Sequence, residues 1–270
     1  MQERQVNRQQ YFNELALSSE KYFVPYITRF KKLSKDMRVL EIGCGDGGNL
    51  VPFAKMECSV LGVDMSPSRI ETARKCFAEL GLQGDFIAAD IFTVKELEHQ
   101  FDLIICHDVL EHIPDKMTFV NNLKKYTKPG GVVFMSFPAW QMPFGGHQQI
   151  CHSKLLSHLP FYHILPRPLY KAILKIGGEP QDIIAELMNI KSTRCPIEKF
   201  ERIVRVQQLQ VMDRRFYFIN PHYEVKFHLK PRRLTPLIGC IPWLRNFFTT
   251  SCFYILDPNP VKTQESQICH

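Results

Sequence analysis

The chain has 270 residues, of which 45% are hydrophobic and 23% charged, and its formal net charge is +7. This size and composition argue against a disordered, fibrous or disulfide-stapled chain and favour one elaborated α/β domain with a full core. The positive charge is compatible with nucleic acid, a membrane surface or a phosphorylated molecule as partner. Because the charges are dispersed, an ordinary solvated basic surface explains them equally well.

The cysteines, the amino-terminal residues and the hydropathy bear on the compartment. Nine cysteines are scattered without a C-x-x-C pair, and an odd number fits poorly with a closed disulfide framework. The leading MQERQVNRQQYF lacks the apolar core of a secretory signal. The apolar late segment 236–256 is interrupted by Pro242, Arg245 and Asn246, so it is no clean membrane span. We therefore expect a reduced, cytoplasmic protein, with a membrane contact that is at most peripheral.

The order of the predicted elements indicates the fold class. Residues 1–35 carry spaced aromatic residues in a charged background and predict helices that pack on a larger body. From Arg38, apolar runs such as RVLEIG, SVLGVD, DFIAAD, FDLIICHD and GVVFMSFP alternate with helical stretches, which is typical of β-α-β units around a parallel sheet. Residues 139–195 lose this regularity and predict an insertion after the fifth strand. Two late β-like runs follow, RRFYFI with HYEVKFHL and then SCFYILD.

These elements divide the chain into five parts. We predict a helical cap (1–35), a cofactor-binding core (36–138), a substrate-side insertion (139–195), the carboxyl-terminal part of the fold (196–258) and a polar tail (259–270).

The segment VLEIGCGDGG raises the question of the cofactor. It satisfies G-x-G-x-x-G, the pattern that lets a helix N-terminus bind the pyrophosphate of a dinucleotide. Glu41 and Asp46, however, place carboxylates where a pyrophosphate would be repelled. S-adenosyl-L-methionine suits them better, because its ammonium and sulfonium gain on the order of 4 kcal/mol beside each close carboxylate before desolvation is subtracted.

Two further strand ends carry candidate cofactor ligands. Asp64 ends the second strand, where an acid accepts hydrogen bonds from both ribose hydroxyls in either type of cofactor site. Asp90 and Ile91 follow the third strand and offer an acceptor for the adenine amino group and an apolar contact for the ring.

The motifs of residues 37–138, which occur in the order of five successive strands, resemble those of class I S-adenosylmethionine-dependent methyltransferases of the methyltransferase-domain group. The resemblance implies an α/β, Rossmann-like fold with a seven-stranded, mostly parallel sheet whose last strand is antiparallel, here with an inserted cap after the fifth strand. It also assigns the cofactor contacts. The methionine moiety is expected at Glu41, Gly43, Cys44 and Gly45, ribose and adenine at Asp64, Met65, Asp90 and Ile91, and the sulfonium beside His107.

Methyl transfer needs alignment above all, and a hydroxyl acceptor also needs a base. Candidates follow the fourth and fifth strands, where open α/β sheets bind their ligands. They are His107, Asp108, Glu111, His112, His147, Gln148, Gln149 and His152. We predict His147 as the catalytic residue, with a pKa near neutrality, and His107 as the second candidate. In this interpretation Trp140 and Phe144 form an apolar wall, and Gly145 with Gly146 a flexible turn.

The insertion is also rich in possible metal ligands. His147, Cys151, His152, His158 and His163 match no compact zinc spacing, and we predict no metal.

We therefore predict a methyltransferase that uses S-adenosyl-L-methionine and a small-molecule acceptor, with oxygen as the methylated atom. The apolar insertion and the late PLIGCIPWLRNFF favour a lipid-like, quinone-like or glycan-like acceptor, although ordinary packing explains them as well. Two alternatives remain. An RNA methyltransferase is compatible with the charge, but the N-P-P-Y signature and an appended RNA-binding motif are missing. A non-catalytic cofactor-binding module would bind without turnover.

Overall fold

The computed structural model describes residues 7–95 and 97–260. Its centre is a sheet of eight strands in the order β3-β2-β1-β4-β5-β8-β6-β7. The strands are β1 (Arg38–Ile42), β2 (Ser59–Asp64), β3 (Asp85–Ala88), β4 (Phe101–His107), β5 (Thr127–Phe137), β6 (Gln210–Ile219), β7 (Arg232–Arg233) and β8 (Ser251–Asp257).

The topology confirms the predicted α/β, Rossmann-like fold. Strands β1 to β5 pair in parallel, and β8 lies antiparallel between β5 and β6. The expected count of seven strands is wrong by one, because β7 adds a short edge pair to β6. Both residues of β7 are exposed arginines, so no apolar pattern announces this strand.

The structure confirms only part of the strands predicted late in the chain. RRFYFI lies in β6 and SCFYILD forms β8, whereas the predicted strand character of HYEVKFHL is wrong. Residues His222–Phe227 form a helix that follows Pro221. Proline pre-sets a helical φ at such a position, and no residue of this helix is buried, so burial does not enforce the alternating pattern.

The helices cover both faces of the sheet and build the insertion. They are α1 (Arg8–Ser18), α2 (Val24–Ile27), α3 (Val51–Lys55), α4 (Pro67–Glu79), α5 (Lys116–Tyr126), α6 (Lys154–His158), α7 (Arg167–Ile176), α8 (Gln181–Thr193), α9 (Ile197–Val206), α10 (His222–Phe227), α11 (Pro236–Gly239) and α12 (Leu244–Phe247). A π-helical turn, Ser19–Phe23, links α1 to α2.

Three apolar clusters account for the core. One contains Ile104, Val133 and Phe200, and the second contains Ile105, Phe134 and Phe253. Neighbours along a strand such as Ile104 and Ile105 point to opposite faces, so these two clusters lie on the two faces of the sheet. The third cluster lies within the insertion, around Tyr170 and Leu187.

The remaining expectations concern cysteines, membranes and the chain ends. The eight cysteines of the described residues are free. No helix in the described part of the chain combines the length and apolar character that a bilayer crossing requires. Residues 1–6 of the predicted cap and 261–270 of the predicted tail, which include Cys269, lie outside the described residues. The five-part division of the chain stays a prediction.

Candidate cofactor and acceptor site

The glycine loop begins where β1 ends, and β2 fixes its course. The N–H groups of Gly43 and Cys44 donate to the carbonyl oxygen of Val63, at 2.7 and 3.1 Å. Gly43 has a φ of +71°, and a Cβ there would lie 2.2 Å from Cγ2 of Val109. Only glycine satisfies both the backbone conformation and this close approach.

Glu41 is a buried carboxylate immediately before this loop, with 1% of its surface exposed. Its Oε1 accepts a 2.7 Å hydrogen bond from Asn49, while Oε2 has no partner among the described residues. Burial raises the pKa of Glu41 to about 8, and the nearby Asp64 adds to the rise. A buried charge is costly unless it is paired, so this oxygen suits a cationic group such as an ammonium.

Asp64 lies at the end of β2 with both oxygens facing the loop. Oδ2 accepts from the N–H of Gly45 and Oδ1 from the N–H of Ser66, each at 2.9 Å. Each carboxylate oxygen keeps a second lone pair for a hydroxyl. A Cβ at Gly45 would meet only Nη1 of Arg69, at 3.7 Å, so there is open space beside the loop. Acid and space together suit a ribose.

The other predicted cofactor residues contribute in different ways. Met65 is 74% exposed, Ile91 is buried, and Oδ1 of Asp90 accepts a 3.0 Å hydrogen bond from the N–H of Phe92. The Cys44 side chain is buried against β2, where a Cβ at Gly62 would lie 2.7 Å from its sulfur. Only the backbone of Cys44 is therefore available to a ligand.

We expected the carboxylate of Asp46 to favour a cationic cofactor, but Arg8 of α1 already pairs with it. The Arg8 guanidinium forms two hydrogen bonds with this carboxylate, one of them 3.0 Å long from Nε, and Asp46 is buried. Asp46 therefore ties α1 to the glycine loop. The neighbouring Tyr11 lies within electrostatic reach of Asp108.

His107 ends β4 and is held on three sides. Its Nδ1 lies 2.8 Å from Oγ of Ser136 on β5, its Nε2 lies 3.5 Å from Oδ2 of Asp108, and its ring packs edge-on against Phe23. The ring orientation is therefore set by a neighbouring strand and by the amino-terminal helices. Asp108 is exposed and has a φ of +52°.

Glu111, His112 and His147 come together although they follow different strands. Glu111 and His112 belong to a 3₁₀ turn after β4, and His147 precedes a second one after β5. Nε2 of His147 lies 3.7 Å from Oε1 of Glu111, and its ring meets that of His112 edge-on at 5.0 Å. Burial lowers the pKa of His147 to about 3, so the near-neutral value that we expected is wrong.

The loop before His147 is packed rather than flexible, which corrects a second expectation. A Cβ at Gly145 would lie 2.2 Å from the carbonyl oxygen of Trp140, and one at Gly146 2.3 Å from Cβ of His163. Gln148 is fully buried and donates to the carbonyl of Pro143 at 2.9 Å. The loop therefore presents His147 from a fixed backbone.

The remaining histidines and cysteine of the insertion lie elsewhere. His163 is buried against Trp140, His158 bonds to its own helix, and Cys151 lies 3.5 Å from the hydroxyl of Tyr162. His152 is exposed and Gln149 half-buried. Within the described residues, the cluster of possible metal ligands is Glu111, His112 and His147. His147 is therefore separated from Cys151, His152, His158 and His163, with which the sequence had grouped it as possible metal ligands.

Sequence reasoning missed several members of this site. Arg8, Tyr11, Asn49 and Ser136 lie at or beside the predicted residues. Asn49 lies directly after the glycine loop, so the sequence could have indicated it as a residue of this site. The contacts of Arg8 and Ser136 span more than 25 positions of sequence, and no local pattern signals them.

A parallel sheet with a glycine loop after β1, a buried acid before that loop and an acid at the end of β2 defines a class. The protein is a class I S-adenosylmethionine-dependent methyltransferase, and S-adenosyl-L-methionine is the cofactor of that class. Residues 33–184 match the family model described as Methyltransferase domain, and the chain belongs to this family.

Among curated relatives, a ubiquinone biosynthesis O-methyltransferase of Chelativorans sp. is 34% identical over 108 residues, 40% of this chain and 43% of the relative. The enzyme of the same name from Histophilus somni is 34% identical over 125 residues, 43% of this chain and 52% of the relative. The chain thus spans about half the length of these relatives.

Among solved structures, the geranyl diphosphate C-methyltransferase of Streptomyces coelicolor has a TM-score of 0.54 at 12% identity, covering 86% of this chain and 76% of that one. At this identity the likeness shows the fold alone.

We expect Glu41→Gln to stabilise the cofactor-free protein at pH 8 by about 1–3 kcal/mol. The folded chain keeps the proton of Glu41 up to about pH 8, whereas the usual pKa is 4.5, so the unfolded state gains stability as the pH rises between these values. Glutamine stays neutral, and the difference should vanish below pH 4.5. Urea unfolding at pH 4, 6 and 8 measures it.

The same substitution should weaken S-adenosylhomocysteine binding at least tenfold in calorimetry, since the ammonium loses its carboxylate. A difference in unfolding free energy that does not change with pH would contradict this account of Glu41.

Proposed function

We propose that this chain methylates an oxygen atom of a small quinone-like or lipid-like molecule. The observation that carries the proposal is the buried Glu41, whose Oε2 lacks a hydrogen-bond partner among the described residues. Glu41 lies at the same edge of the sheet as Glu111, His112 and His147. Methyl transfer from a sulfonium donor needs a carboxylate that binds the cationic part of the donor, and polar side chains that hold the acceptor. The cofactor, when bound, supplies a methyl group activated by that sulfonium.

The cofactor side of the proposal follows the contacts described above. Glu41 binds the ammonium, the loop backbone at Gly43, Cys44 and Gly45 encloses the methionine moiety, and Asp64 accepts hydrogen bonds from the ribose hydroxyls. Met65, Asp90 and Ile91 lie at the adenine. These residues hold the methyl group in one orientation, and orientation of this kind is worth up to about 7–11 kcal/mol of barrier.

The acceptor side of the proposal consists of His107 and His147. Ser136 and Phe23 hold His107 at the end of β4, and the packed glycine turn holds His147. A hydroxyl acceptor must lose its proton as the O–C bond forms and the C–S bond breaks. We propose that these imidazoles orient the hydroxyl and that its proton passes to solvent.

The choice of oxygen and of a quinone-like acceptor rests on the names of the curated relatives, which are ubiquinone biosynthesis O-methyltransferases. The match with each of these relatives covers less than half of this chain. The acceptor of this chain is therefore a proposal of its own.

Calorimetry separates the proposal from the dinucleotide alternative. We expect S-adenosylhomocysteine to bind and NAD not to bind, and Asp64→Ala to weaken the former about 10- to 100-fold, because two charge-assisted hydrogen bonds are lost. Asp85→Ala, at the exposed start of β3, serves as the matched control. Binding of NAD alone would overturn the assignment of the cofactor.

We expect His147→Ala to lower kcat at least 100-fold with S-adenosylhomocysteine affinity unchanged, since a misplacement of the acceptor by about 1 Å can cost about 100-fold in rate. The assay uses hydroxylated quinols with and without an alkyl chain and follows S-adenosylhomocysteine release. His158→Ala, an exposed histidine of the same insertion, is the control.

Unchanged turnover of the His147 variant would remove that residue from the acceptor side. Tight cofactor binding without turnover of any acceptor would favour a non-catalytic module. Salt-sensitive RNA binding would revive the RNA alternative.

A lipid-like acceptor would also fit a surface near the carboxyl-terminal helices. Five apolar residues there are exposed, and we call them the apolar ridge: Leu237, Ile241, Trp243, Leu244 and Phe247. Phe161 of the insertion packs against Phe247, and the exposed cations Lys230, Arg232 and Arg233 precede the ridge in the chain. Apolar and cationic residues on one surface suit an interface that contains anionic lipid. We propose peripheral contact with such a membrane.

The ridge makes a prediction for vesicle binding. Leu237→Ser with Trp243→Ser should weaken sedimentation with vesicles containing phosphatidylglycerol about tenfold or more, since two apolar side chains no longer leave water. Leu80→Ser, an exposed residue after α4, is the control. Equal sedimentation of all three proteins, or none with any vesicle, would contradict the membrane proposal.

A further inference from the structure

Glu111, His112 and His147 converge on one point from two loops of the fold. One donor atom from each side chain lies within 4.8 Å of the others, and the pair formed by Glu111 Oε1 and His147 Nε2 is 3.7 Å apart. Ligands of an ion bound tetrahedrally at about 2.1 Å lie about 3.4 Å from one another. Side-chain movements of about an ångström would therefore bring all three donors to metal-binding distance.

The carboxylate of this cluster lacks the partners that a buried acid normally has. Glu111 is 3% exposed, and neither of its side-chain oxygens has a hydrogen-bond partner within the described residues. The nearby Lys116 donates instead to the carbonyl oxygens of Ile113 and Thr193. Buried carboxylates are ordinarily paired or bound to metal, so both oxygens of Glu111 point to a cation.

The third donor is held in place by a strained backbone. His147 has φ +57° and ψ 24°, the left-handed region that a non-glycine residue adopts at a cost, and the crowded Gly145–Gly146 turn precedes it. Gln148 anchors the next position through the carbonyl oxygens of Pro143 and Leu159. Strain that the surroundings maintain is typical of positioned functional groups, and metal ligands are commonly fixed by such outer contacts.

We propose that Glu111, His112 and His147 bind one divalent transition-metal ion. Two imidazoles and one carboxylate are a donor set for Zn²⁺, Mn²⁺ or Fe²⁺ and leave coordination positions open for an external oxygen. His147 comes from the insertion and the other two ligands from the sheet edge, so binding ties the insertion to the core. Our expectation of no metal considered only spacing along the chain, which did not include Glu111.

The role of the ion rests on the proposed function. Beside the acceptor site, the ion would add positive charge where a hydroxyl loses its proton to solvent, before its oxygen bonds to the methyl carbon and the carbon–sulfur bond breaks. A bound divalent ion lowers the pKa of an oxygen ligand. The ion, held by Glu111, His112 and His147, and the imidazole of His107 would thus act on the same hydroxyl.

The test uses the full, tag-free chain, stripped of metal with EDTA and dialysed. Zn²⁺ and, separately, Mn²⁺ are titrated calorimetrically, and Co²⁺ is added as a visible-absorption probe of coordination. We expect one site per chain. Glu111→Gln, His112→Ala and His147→Ala should each weaken metal binding by more than about 100-fold, since even changes to residues that only hold the ligands in place cost about 10- to 100-fold. His152→Ala and His158→Ala, exposed histidines of the insertion, should leave it unchanged.

Circular dichroism of each variant checks the fold, and the near-isosteric Glu111→Gln keeps the test informative if a histidine variant unfolds. Absence of a stoichiometric site, or a site that survives all three ligand substitutions, overturns the proposal. S-adenosylhomocysteine titrations run in parallel. Metal binding without cofactor binding would refute the proposed function and leave the metal site standing, whereas the reverse would refute the metal site alone.

Discussion

Two buried carboxylates on one edge of a parallel sheet are the constraint around which this molecule is arranged. Glu41 lies in β1 and Glu111 in the turn after β4. Each has at least one carboxylate oxygen that lacks a hydrogen-bond partner among the described residues. β1 and β4 are neighbours with parallel direction, so their carboxyl ends lie side by side. Unpaired buried acids destabilise a fold unless a ligand pairs with them, and both proposals rest on this property.

The surrounding structure limits the cost of these acids and keeps them in place. Asn49 donates to one oxygen of Glu41, and Arg8 neutralises the neighbouring Asp46. The pKa of Glu41 is raised by burial, so at neutral pH the folded chain largely keeps that proton. In the proposed function, a cationic cofactor reverses this preference by pairing with the ionised form. Stability without ligand and affinity for ligand are thus opposed at the same side chain.

The insertion after β5 brings its own apolar cluster to this edge. Its cluster around Tyr170 and Leu187 is separate from the clusters that flank the sheet. The Gly145–Gly146 turn, packed against Trp140 and His163, then delivers His147 to Glu111. In the proposed function, the acceptor side therefore depends on a segment with its own core. Phe161 of the insertion also packs against Phe247 of the exposed apolar ridge.

The sequence alone determined the fold class and the cofactor class, because these depend on local patterns: alternating strands and helices, a glycine loop, and acids at the ends of strands. The cofactor residues stay a prediction. The sequence determined neither the helix at 222–227 nor the short edge strand β7, which lack a buried face. Only the tertiary structure decided that Arg8 pairs with Asp46, that Ser136 holds His107, and that Glu111 meets His147. Each of these contacts joins residues at least 29 positions apart, so packing rather than local periodicity selects them. The pKa of His147 was misjudged because the loss of solvent around its ring, with the nearby His112 and His163, does not show in the sequence.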